Sequence, residues 1–99
     1  MNKPKIYLAG AKSEQKYRNY IKEVYGHIFD IKDPFVEVDH NESNESIVRN
    51  DISLITKCDM LIAYINKITV GTTMEIYHAY NIGKSVYIIT TPELEKDIW

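Results

Sequence analysis

Four short apolar runs, separated by longer stretches with helical spacing, constrain this chain more than any other feature. Residues 5–9 (KIYLA), 28–31 (IFDI), 58–64 (CDMLIAY) and 85–90 (SVYIIT) each have the length of a strand. The outer two and the third are nearly continuous in apolar character, which suits strands covered on both faces in a parallel sheet. Between the first two, Tyr17, Tyr20, Ile21 and Val24 fall at the i, i+3, i+4, i+7 spacing of an amphipathic helix. Ser13 is its expected N-cap and Gly26 its expected stop. A second helix is expected from residues 44–46 to 57, with Ile47, Leu54 and Ile55 on one face. A third is expected from Gly71 to Gly83, carrying Met74, Ile76, Ala79, Tyr80 and Ile82. The segment from Pro34 to about residue 45 reads as a polar connection containing a direct Asn-Glu-Ser repeat at 41–43 and 44–46. Strands alternating with helices of this length predict an α/β fold, with right-handed crossovers between parallel strands. The expected architecture is a three-layer sandwich on a small parallel sheet, flavodoxin-like or Rossmann-like, and residues 1–99 form one domain. Ligands in such folds sit beyond the carboxyl ends of the strands. Chain position therefore points to residues 7–13, residues 64–75 and the segment after Thr90.

Composition removes several function classes. Twelve basic and 14 acidic residues give a net charge of −2, and the basic ones are scattered among acids. A nucleic-acid polymer binder shows a basic stripe, so none is expected as a partner. No apolar run approaches the roughly 18–20 residues of a membrane span. The opening residues enter the first strand directly, without the apolar core of a secretory signal, so the expectation is a cytoplasmic protein. In that setting the two Asn-Glu-Ser tripeptides are flexible loop, not glycosylation sites. A lone Cys58 excludes an internal disulfide and reads as a small buried hydrophobe. His27 and His40 read as solvated, and His78 lacks a second ligand at helical spacing, so no metal and no cofactor is expected. Of eleven aromatic residues eight are tyrosines, most of them expected to serve packing.

Two carboxylates carry the chemical interest. Glu75 opens a helix after a strand's carboxyl end, and Thr72-x-x-Glu75 has the spacing of a capping box, which by itself accounts for both residues. Asp51 breaks that simple account. It lies four residues after Ile47 and three before Leu54, on the apolar face of the preceding helix, with Arg49 and Lys57 near it in sequence. An inward carboxylate needs a partner or a purpose. Two acids aimed at one crevice are the minimum equipment for breaking a glycosidic bond, one as nucleophile and one as proton carrier.

The segments KIYLAG at 5–10, NDISLITKCDMLIA at 50–63 and GTTMEIYHA at 71–79 resemble, in order and spacing, the nucleoside 2-deoxyribosyltransferase family, which includes deoxynucleoside 5′-monophosphate N-glycosidases. The resemblance implies that Glu75 attacks C1′ and forms a covalent deoxyribosyl-enzyme. It implies that Asp51 protonates the departing base and then activates the acceptor, and that Tyr7 orients the nucleophile. Gly10 and the turn after it, with Lys12 and Ser13, would line the sugar or phosphate end, and Thr69, Gly71 and Thr72 the start of the nucleophile's helix. Lys12 reads either as a solvated surface lysine or as a phosphate ligand near the start of the first helix, where backbone amides favour anions. The resemblance further implies a homodimer or higher homo-oligomer, with the tail to Trp99 as one candidate for completing a neighbour's pocket. Three departures stand out: Tyr77 where many relatives have glycine, Thr69 where an Asp or Ser is common, and an early end after the fourth strand. They keep a non-catalytic nucleotide-binding module on the same scaffold open, and hydrolysis of another N-riboside such as NAD is a third possibility.

Overall fold

The computed structural model describes residues 3–98. Its elements are β1 (Lys5–Gly10), α1 (Gln15–Tyr25), β2 (Asp30–Lys32), α2 (Pro34–Glu37), α3 (Asn44–Lys57), β3 (Met60–Ile65), α4 (Val70–Asn81), β4 (Ser85–Thr90) and α5 (Pro92–Glu95). The four strands form one parallel sheet in the order β2-β1-β3-β4. This is the α/β, flavodoxin-like arrangement, with the order reversing between β1 and β3, where a crevice opens at the strands' carboxyl ends.

The pleat of β1 sorts its side chains between two layers. Ile6 and Leu8 face α1 and pack with Tyr17 and Ile21, whereas Tyr7 and Ala9 face α3 and α4 and pack with Ile55, Leu61, Ala63 and Ala79. Cys58 joins the second cluster at 1% exposure, and burial pushes its thiol up to about 11. Among the described residues no helix is long and apolar enough to cross a membrane.

Several boundaries differ from the sequence expectation. Helix α1 starts at Gln15 with Glu14 at its N-cap position and no side-chain cap, so Ser13 is an exposed turn residue rather than a cap. Strand β2 is shorter and later than 28–31, because Ile28 and Phe29 turn back onto the Tyr25 carbonyl and pairing begins where the Asp30 amide meets the Pro4 carbonyl. The connection after Pro34 holds a helical turn, capped by Asp33 through the Phe35 amide. The tyrosines are mostly not core: Tyr7 and Tyr17 are buried and Tyr64 stacks on Tyr17, but Tyr20, Tyr25, Tyr77, Tyr80 and Tyr87 are exposed. Tyr77 is 66% exposed. Trp99 lies outside the described residues.

Candidate active site

Tyr7, Asp51 and Glu75 come from β1, α3 and α4, and the fold brings them together. Helix α4 begins one residue before Gly71, with Thr69 as its N-cap: the Thr69 hydroxyl accepts from the Thr72 amide, and the Thr73 hydroxyl donates to the Thr69 carbonyl. The expected Thr72–Glu75 capping box is therefore not formed, which frees the Glu75 carboxyl. It accepts a hydrogen bond from the Tyr7 hydroxyl at 2.5 Å, across 68 residues of sequence. Tyr7 is itself fully buried. Asp51 is 9% exposed on α3, one turn before Ile55, and its Oδ1 has no protein partner. Arg49 does not reach Asp51; it pairs with Glu45 on the outer face.

The electrostatics follow from burial. Desolvation drives the Glu75 pKa up, the Tyr7 hydrogen bond opposes it, and the nearby Asp51 carboxyl adds to the rise, giving about 8. Asp51 is also raised, again mainly by burial, against contact with Glu75 and the proximity of His40. Burial and the Glu75 charge push the Tyr7 phenol far up, so it remains a donor. Two neighbouring carboxyls that feel each other share protons as a pair. Both carboxyls are displaced towards their protonated forms.

The carboxyls stand in the wall of an open cavity of about 650 Å³. Gly10, Lys12 and Ser13 line it from the β1–α1 turn, and Thr69, Gly71 and Thr72 from the start of α4. Gly10 is required there: its φ is +151°, and a Cβ would stand 3.2 Å from the Tyr64 carbonyl oxygen. Sequence reasoning missed Phe35, His40 and Lys67, which also line the cavity. Phe35 and His40 stack at 4.7 Å, and the His40 Nδ1 lies 2.9 Å from the Val38 carbonyl. These two follow the carboxyl end of β2, so the strand-end rule points to them, but β2 is too short for its end to be read from pattern. Another open cavity, of about 640 Å³, is lined by Lys3, Lys5 and Lys22 and contains none of the expected site residues. Among the described residues no group of three metal-ligating side chains is present.

The nucleoside 2-deoxyribosyltransferase family model matches residues 6–96. The chain belongs to that family. Among solved structures, the 2-desoxiribosyltransferase from Leishmania mexicana shares the fold with a TM-score of 0.76 at 23% identity. The match covers 94% of this chain and 70% of that one. A search of curated proteins returns no match. Nucleoside 2-deoxyribosyltransferases are enzymes acting on small nucleosides, and the acid pair lies in the crevice where an α/β sheet of this order receives a ligand.

Proposed function

We propose that the protein cleaves the N-glycosidic bond of a 2′-deoxynucleoside or its 5′-monophosphate and passes the deoxyribosyl group to another base or to water. A Glu75 carboxylate oxygen bonds to C1′ as the C1′–N bond breaks. The electron pair leaves with the base nitrogen, and Asp51 delivers the proton that the base takes up. In the second half, Asp51 recovers a proton from the incoming base or water. The new nitrogen or oxygen then bonds to C1′ and releases Glu75. Tyr7 holds one Glu75 oxygen and leaves the other free to attack. The observation that carries this reading is the Tyr7–Glu75 hydrogen bond beside Asp51 in one accessible cavity. Lys12 and Lys67 at the rim, with Ser13 and the Thr69–Gly71–Thr72 start of α4, suit the sugar and a 5′-phosphate. The reaction as drawn calls on no metal or organic cofactor.

Incubation with each deoxynucleoside plus a competing base, and separately with deoxynucleotides and NAD, followed by chromatography of released base, tests the reading. Glu75→Gln is expected to lose roughly 10³-fold or more of the rate and Asp51→Asn roughly 10²-fold. Base release that persists in Glu75→Gln removes the mechanism, and tight nucleotide binding without turnover favours the binding module. A homodimer in the cytoplasm, with no nucleic-acid polymer as partner, completes the proposal. The exposed tyrosines, the scattered charges and the single buried thiol agree with it.

A further inference from the structure

Arg18 is the largest fully buried side chain of the fold, and no part of the proposed chemistry uses it. Its Nη2 donates to the Gly10 carbonyl at 2.8 Å and to the Ala11 carbonyl at 2.9 Å. Its Nε lies 3.3 Å from Asp33 Oδ1, and its guanidinium carbon lies 4.2 Å from the centre of the Phe35 ring. Asp33, 2% exposed, also accepts from the Phe35 amide at 3.0 Å and from Lys22 at 2.8 Å. Phe35 is thus held through its ring by Arg18 and through its backbone by the carboxylate paired to Arg18. Gly10, Ala11 and Phe35 all line the cavity that contains Asp51 and Glu75.

Stability alone accounts poorly for this arrangement. A buried ion pair is commonly matched or bettered by apolar residues of the same volume, because desolvation offsets the attraction. An apolar side chain, however, cannot donate to two carbonyls while lying as a planar cation on an aromatic face. Where β1 ends its pairing at Gly10, the chain must turn under the pocket, and Arg18 ties that turn to the segment after β2. We propose that Arg18 is a positioning residue, whose one guanidinium sets the Gly10–Ala11 turn and the Phe35 ring as adjoining walls of the substrate cavity. Its charge also acts on Glu75 in the direction of the carboxylate, which agrees with a place beneath the site.

Arg18→Lys keeps the charge opposite Asp33 and removes the planar guanidinium that lies on Phe35. Amide hydrogen exchange on the full chain is expected to show roughly tenfold lost protection at residues 11–14 and 35–40, with β1, β3 and β4 unchanged. In turnover, KM is expected to rise roughly tenfold with kcat changed far less, the pattern of a misplaced binding wall. Unchanged local exchange and KM overturn the proposal, as does protection lost evenly over the whole fold. If Arg18→Lys does not fold, the double variant Arg18→Met/Asp33→Asn removes both charges and keeps the Phe35 cap; the same local loss is expected. Collapse of both variants assigns Arg18 to folding alone. The kinetic arm rests on the N-glycoside reading and the exchange arm does not. A wild type without turnover therefore ends that reading, while the exchange pattern still decides the role of Arg18.

Discussion

Glu75 meets two opposed demands: it is half-buried beside another acid, yet the proposed chemistry needs it ionised. Its pKa moves from the ordinary 4.5 to about 8 in the fold, so the native state favours the neutral form. The resulting stability is fully present below 4.5 and is lost as the pH rises through about 8. Asp51 is displaced in the same direction and adds to the trend. Glu75→Gln stays neutral throughout and removes the penalty. At pH 8 the variant is expected to be ~1–3 kcal/mol more stable than wild type, with the gap closing towards pH 5. Urea unfolding at both pH values checks this, and parallel pH curves would mean that the carboxyl is not perturbed. Tyr7→Phe acts oppositely on the charge. It removes the donor that favours the carboxylate, so kcat/KM should fall roughly 10–100-fold, with its Glu75 titration moved to higher pH.

At the scale of elements, the start of α4 decides whether Glu75 is free. Thr69→Ala removes the hydroxyl that accepts from the Thr72 amide and is expected to destabilise by about 1 kcal/mol. Gly71→Ala, with no atom within 4 Å of the new Cβ, is expected to stabilise by up to about 1 kcal/mol, whereas Gly10→Ala must strain both φ and the Tyr64 carbonyl contact. Urea midpoints of the three variants separate these cases. Sequence pattern alone located α3 and β4 to within a residue or two, since their caps and apolar runs are local signals. It placed Asp51 inward for the same reason. It left Glu75 open between a Thr72 capping box and a place in the crevice, because Thr69, the residue that caps α4, and Tyr7, the donor to Glu75, lie outside that local pattern. Arg18 was invisible: a charged residue beside Tyr17 on a helix reads as solvent-facing unless the carbonyls and carboxylate that receive it are already in place.

Across the whole molecule the two faces of the sheet are unequally covered. Helices α3 and α4 close one face, and α1 alone lies on the other, leaving an apolar groove of about 420 Å³ bordered by Tyr20, Tyr25, Tyr87 and Ile89. Tyr87 is 57% exposed on β4, one of the two edge strands of the sheet. If the proposed homodimer uses this face, Tyr87→Lys is expected to shift sedimentation from dimer to monomer while the circular dichroism stays unchanged. A monomeric wild type removes that part of the proposal.

The cavity's wide mouth has a chemical corollary. Under the proposed chemistry, a sugar tethered to Glu75 in this open basin would be within reach of more than one kind of acceptor. The fate of each deoxyribose would then be settled by the crowd at the entrance, free bases competing with bulk solvent. On that reading, salvage of one nucleobase for another and simple destruction of the nucleoside would be two ends of a single continuum, with the pool of bases setting the point along it.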